Sequence, residues 1–223
     1  MKSISRLFSI VAAGALAGAL ALPSPVQAQG APREGSLEFI LPISYSPSTS
    51  FNGQGGSSAE LNSTLGFGFG LGYNVNNHLQ LGGTVNWGYR NYIATTTNNN
   101  GTTSQGSGQL SSSTIGFNAI YYFMSSGLTP FLSAGIGSTW VDTGIPNGLP
   151  QTGCWYDPWY GYVCNSYTPT KSQTAVSYTG GAGVRFEVSR AFSVQASYNK
   201  AWIELTKGTP EVDSWRVDLV WRM

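Results

Sequence analysis

Charge is scarce in this chain. Only 9% of its 223 residues are Asp, Glu, Lys or Arg, against about a quarter in ordinary globular domains. Such a composition solvates a normal globular surface poorly. What charge there is nearly balances, 11 Lys+Arg against 10 Asp+Glu, so the basic patch that a nucleic-acid partner requires is missing. There is one histidine, His78, and two cysteines, Cys154 and Cys164. That set is too small for a four-ligand metal site, and no metal or cofactor is expected. Past Leu22 no apolar run is long enough for a helical membrane span, and no segment carries a convincing helical period. The glycine-rich stretch at 65–73 lacks the following helix and the Lys-Ser/Thr of a phosphate-binding loop.

The N-terminus supplies the one apolar run. Lys2 and Arg6 precede Leu7–Leu22, Pro23 and Pro25 break it, and Val26-Gln27-Ala28 offers small residues where a signal peptidase reads. Residues 1–28 are expected to be a cleaved secretory signal and 29–35 a short linker. Removing 1–28 takes Lys2 and Arg6 and leaves nine Lys+Arg against ten Asp+Glu, a net charge of −1. Export also delivers Cys154 and Cys164 to a compartment where a disulfide persists.

Beyond residue 35 the pattern has a period of two. In LGFGFGLGY (65–73), Leu65, Phe67, Phe69, Leu71 and Tyr73 alternate with four glycines. SLEFILPISY (36–45) and SWRVDLVWRM (214–223) alternate similarly, and 78–95, 110–124, 129–142, 173–188 and 191–205 do so less cleanly. Alternation of this kind marks strands with one apolar face. Eight strands result. Their connections alternate strictly between tight (74–77, 125–128, 189–190) and long (46–62, 96–109, 143–172, 206–212). All short turns therefore lie at one end, as in an outer-membrane barrel with short periplasmic turns. The expected fold is all-β, an eight-stranded antiparallel up-and-down transmembrane β-barrel spanning 36–223, in the bacterial outer membrane with both termini periplasmic.

The apolar face is expected to look outward, toward lipid and lipopolysaccharide. Four glycines and a handful of charges would make a poor solvated exterior but suit a narrow lumen. Outward rings sort to both ends: Tyr45, Trp87, Tyr89, Trp140, Trp202 and Trp215 at the loop end, Tyr73, Tyr121, Phe123, Phe192 and Trp221 at the turn end. Two belts separated by about 25 Å are what bilayer interfaces select. The inward charges Glu38, Arg90, Arg185, Glu187, Arg216, Asp218 and Arg222 are expected to neutralise one another as a lumen network. Glu38 and Arg222 should meet where the first and last strands close, since a free strand edge has no partner in hydrocarbon. Arg90, Tyr92, Tyr122, Phe131, Arg185 and Arg216 are expected to plug the lumen.

On these residues the chain resembles the small outer-membrane barrels of the OmpA-, OmpX- and OmpW-like and opacity-type group. LTPFLSAGIGSTW (128–140), the hairpin LGFGFGLGYNVNNHLQLGG (65–83) and the final amphipathic strand carry the likeness. That strand finishes on Met223 rather than the family's usual aromatic, with Trp221 two positions earlier. The resemblance implies periplasmic chaperones and the barrel-assembly machinery as partners. It implies a structural and surface-contact role through the loops, or else a narrow passive channel for small or hydrophobic solutes as in the OmpW type. Enzymes of this fold that act on outer-leaflet lipid need a histidine facing that leaflet. His78 lies at the turn end, so no enzymatic activity is expected.

CWYDPWYGYVC (154–164) falls in the longest loop. Its spacing is too wide for a redox motif, and the two cysteines should close the loop. Trp155, Tyr156, Trp159, Tyr160 and Tyr162 are expected either to pack as a cap on the barrel, the favoured reading, or to stay exposed for an extracellular ligand of the 143–172 loop. The loop 95–109, polar and low in complexity, is expected to be flexible and solvated.

Overall fold

The computed structural model describes residues 32–52, 58–97, 102–125, 127–206 and 208–223. The expected signal and the first three residues of the expected linker, 29–31, lie outside them. Among the described residues there is no helix. The strands are β1 (Leu37–Ser46), β2 (Thr49–Asn52), β3 (Ser58–Leu61), β4 (Thr64–Asn74), β5 (Leu79–Thr97), β6 (Thr103–Tyr122), β7 (Leu128–Pro146), β8 (Gln151–Asp157), β9 (Gly161–Tyr167), β10 (Thr170–Glu187), β11 (Phe192–Ile203) and β12 (Glu211–Arg222).

Eight of them close on themselves in the order β1-β4-β5-β6-β7-β10-β11-β12, every neighbour antiparallel. The seam between β12 and β1 runs from Glu38↔Arg222 to Tyr45↔Trp215. Closure leaves the membrane level without an edge. Both ends of the barrel sequence sit beside the short turns, where the Met223 N–H donates to the Leu37 carbonyl at 2.8 Å.

The two faces invert the pattern of a soluble protein. Phe117 on the outer wall is 67% exposed, whereas Arg185 in the lumen is 1% exposed. Along β4, Leu65, Phe67, Phe69, Leu71 and Tyr73 look out and the intervening glycines look in. Those glycines make room for neighbouring side chains. A Cβ on Gly70 would come within 2.7 Å of both the Gly83 carbonyl and Thr84 Cγ2, and one on Gly72 within 2.8 Å of Gln80. Outer rings cluster at both ends. Trp221 touches Phe39 and Phe192 at the turn end, and Trp215 meets Tyr198 edge-on nearer the loops.

The long connections are more ordered than their sequence suggests. The β5–β6 ladder runs without a break to Thr97↔Thr103, so most of the 95–109 stretch expected to be a flexible loop is a hairpin arm. Threonine-rich segments suit a strand, and above the membrane a ladder needs no apolar face to be seen in the sequence. In the first long connection β2 pairs with β3 and β3 with β5, extending the wall above β4. β7 and β10 rise together to Pro146↔Thr170. Above them β8 and β9 form a separate two-stranded sheet.

Candidate functional site

The turn end of the lumen is filled by a packed cluster of charged and polar side chains. Arg185 reaches across the barrel and grips Glu38 with two bonds, Nη1 to Oε2 at 2.8 Å and Nη2 to Oε1 at 2.7 Å. Gln80 Nε2 donates to the same carboxylate at 2.7 Å. The Tyr122 hydroxyl lies at the centre of the group. It accepts from Arg185 Nη1 at 3.1 Å and Gln195 Nε2 at 3.0 Å, and donates to Gln80 Oε1 at 3.3 Å. Arg222 adds Glu38 at 3.5 Å and Glu187 at 3.3 Å. A bidentate guanidinium–carboxylate pair with its remaining lone pairs occupied is the geometry in which a buried ion pair offsets its desolvation.

Arg33 completes this floor from the chain before β1. Its guanidinium lies 4.5 Å from the Tyr122 ring centroid, its Nη2 donates to the Met124 carbonyl at 2.6 Å, and its Nε is 3.6 Å from Glu187. Sequence alone puts Arg33 in a linker and does not single out Gln80 or Gln195. Parity along β5 and β11 turns both glutamines inward, so a signal existed for them. None existed for Arg33, because its segment has no period.

The seven charges expected to form one network therefore do not. Glu38, Arg185, Glu187 and Arg222 meet in the floor. Arg216 pairs with Asp218 on its own strand, in the lumen wall. Arg90, 8% exposed, makes no ion pair among the described residues. Arg90 and Arg216 line the cavity instead of plugging it, and the Tyr92 hydroxyl bonds the Thr143 carbonyl at 3.1 Å, tying the β5 arm to β7. The lumen is a cup of about 490 Å³ above the floor, within the range of small-molecule sites, roughly 300–1,000 Å³. Hydroxyls and amides such as Thr84, Asn86, Ser112, Asn118, Ser197 and Asn199 line its body. Leu61, Leu110, Val141, Ile203, Leu205 and Val212 ring its mouth.

The third feature is the β8–β9 hairpin. Cys154 and Cys164 stand directly opposite one another in its ladder and form the disulfide. Its turn is built locally. Asp157 Oδ1 accepts the N–H groups of Trp159 at 2.9 Å and Tyr160 at 3.0 Å, Pro158 presets the next φ, and Gly161 takes a φ of +77°. An aspartate, a proline and a left-handed glycine in this order suit a three-residue hairpin turn. The favoured cap reading fails here. Trp159 is 86% exposed, and Trp155, Tyr156, Tyr160 and Tyr162 are exposed as well. The cause is geometric: the hairpin stands on the raised β7 and β10 arms as its own sheet, with no surface beneath it to cover the rings. At the base of those arms, above the outer rings, Asp142 accepts the Gly144 N–H at 2.8 Å and the Thr170 hydroxyl at 2.7 Å. These bonds hold its carboxyl below the usual carboxylate range.

Two other residues have definite places. His78 Nδ1 lies 2.8 Å from the Tyr122 carbonyl oxygen at the turn end, its ring stacked on Tyr121. Lys200 is on the outer wall, where Glu211 pairs with it and Trp202 lies alongside.

A closed antiparallel barrel with an apolar exterior and a polar, ion-paired lumen is the architecture of an integral outer-membrane protein. Residues 14–222 match the model of the outer membrane protein beta-barrel domain, and the chain belongs to that family. OprG from Pseudomonas aeruginosa superposes with a TM-score of 0.52 at 13% identity, covering 87% of this chain and 98% of that one. Neisserial surface protein A gives 0.49 at 18% identity, covering 85% and 99%. Ail of Yersinia pestis, solved in complex with the heparin analogue sucrose octasulfate, gives 0.43 at 14%, covering 85% and 99%. At these identities the likeness is one of fold alone. No curated protein sequence matches the chain.

Proposed function

We propose that the protein is a surface-contact component of the bacterial outer membrane, with residues 36–223 as its barrel domain. Its short turns and both barrel ends face the periplasm, and the β8–β9 hairpin is the contact element outside the cell. Lipid and lipopolysaccharide solvate the outer wall. Periplasmic chaperones and the barrel-assembly machinery deliver it. The observation that carries the reading is the set of five exposed rings between the two cysteines of a cross-linked hairpin. Rigid, amphipathic rings offer contact area at low entropic cost. Their partner is recognised by stacking more than by charge, because Asp157 and Lys171 are the only charged residues between 143 and 172. A glycan or a protein surface with exposed apolar groups fits that chemistry. The test is binding of nanodisc-embedded protein to glycan arrays and to cell surfaces. Binding that survives 0.5 M salt and disappears in Trp155→Ala/Trp159→Ala supports the reading; equal binding by that variant overturns it.

A second reading rests on the cup. The ion-paired floor argues against a through channel, so the lumen serves as a binding cup open toward the loops. Planar-bilayer recordings should find no steady conductance in the wild type. Steady conductance would overturn the sealed floor.

A further inference from the structure

Among the charged side chains lining the cup, Arg90 stands apart. Arg216 has Asp218, and the floor guanidinium groups have Glu38 and Glu187. Arg90 is 8% exposed, has no ion-pair partner among the described residues, and faces directly into the cavity. It stands opposite Leu110 in the β5–β6 ladder, level with the apolar mouth that Leu61, Val141, Ile203, Leu205 and Val212 complete. Buried cations are normally paired, because an unpaired one forfeits much of its hydration. Among the described residues, the charged ones lining the cup are Arg90, Arg216 and Asp218, which leaves one positive charge in excess among them.

We infer that the cup takes a small organic monoanion, a carboxylate with a hydrocarbon body, whose head pairs with Arg90 and whose body lies against the apolar mouth. Guanidinium matches a carboxylate in planar, two-bonded geometry. A bare inorganic anion would leave the apolar ring unused, and a neutral alcohol would leave the guanidinium unpaired. The inference rests on the reading of the lumen as a binding cup.

The test uses full-length protein in nanodiscs, with empty nanodiscs subtracted, and equilibrium dialysis of labelled octanoate, octanol and octylammonium. Wild-type protein should hold octanoate about tenfold or more tighter than octanol, the worth of one charge-assisted bond, and should reject octylammonium. Arg90→Gln should abolish the preference for octanoate while leaving octanol binding in place. Arg90→Glu should favour octylammonium. Heat-modifiable gel mobility reports that each variant barrel is folded. Octanol binding without any preference for octanoate in the wild type would overturn the anion assignment and leave the cup standing. Failure of all three probes to exceed empty nanodiscs, or binding unchanged when Ser112→Trp fills the cup, would overturn the cup and the assignment together. The wild-type comparison needs no variant, so misfolding of the Arg90 variants would not rescue the idea.

Discussion

The two ends of this barrel solve opposite problems. At the turn end, three guanidinium groups, two carboxylates and a tyrosine are packed away from solvent and bonded to one another. At the loop end, six aromatic rings, Tyr167 among them, stand in the open on a hairpin with a single charged residue, Asp157. A soluble protein would place these groups the other way round. The floor is held from within by the strands it spans, so its loss should be felt by the whole barrel. The hairpin is a separate sheet with its own cross-link, so its loss should stay local. Stability sits at one end and contact at the other, and replacements at each end should separate the two.

The largest effect is expected from Arg185→Leu. It strips Glu38 of its bidentate partner and leaves a buried carboxylate held only by Gln80 and the longer Arg222 contact. Breaking a buried pair from one side costs about 3–5 kcal/mol, to be read as a lower urea midpoint for unfolding from phospholipid vesicles. Glu38→Leu together with Arg185→Leu should cost less than Arg185→Leu alone, since the buried Glu38 carboxylate is no longer left without its bidentate partner and Arg222 keeps Glu187. If the double replacement is the more damaging, the floor's strength lies in its packing and not in its ion pair.

Gly70→Val ranks second. Its added carbons meet the Gly83 carbonyl and Thr84, and overpacking of this kind costs about 1–3 kcal/mol. Gly106 has open space around its would-be Cβ, so Gly106→Ala on the raised arm should leave the midpoint unchanged. Equal effects at both glycines would erase the distinction between the packed wall and the free arms.

How much of this is legible in the sequence differs between the two ends, for physical reasons. Strand parity is legible wherever a strand crosses the lipid, because the bilayer enforces alternation at 65–73 and 214–223. Register at the seam is legible too: Glu38 and Arg222 sit near the two ends of the barrel sequence and the closed ring must join them. Parity says which side of the wall a charge faces but not its height or its partner across the lumen. Glu38 and Arg185 are 147 residues apart in sequence, and their meeting depends on strand tilt. Hence the charges suggest one network where a floor, a wall pair and a lone Arg90 are found. Above the membrane no such enforcement exists, so the β5–β6 ladder formed by 95–97 and 103–109 leaves no hydrophobic trace. The rings of 154–164 mislead because a dense aromatic cluster suggests a core, and only the height of the β7 and β10 arms reveals that nothing lies beneath them.

The smallest effect on the barrel, and the sharpest on the comparison, is expected from Cys154→Ser with Cys164→Ser. A lone two-stranded hairpin is marginal in water, and both faces of this one are exposed. Closing a loop of this length restricts the unfolded ensemble by about 3 kcal/mol, which exceeds what the ladder alone would retain. Without the disulfide, chymotrypsin should cut rapidly within 155–162, where five aromatic residues offer sites. The urea midpoint of the barrel should not move, because neither strand joins the closed ring. If the partner of the hairpin is recognised by pre-ordered rings, the variant should also lose binding with every ring still present. A midpoint that falls along with the cleavage resistance would mean that the hairpin braces the barrel after all. The division between a stabilising floor and a contact-making tip would then have to be abandoned.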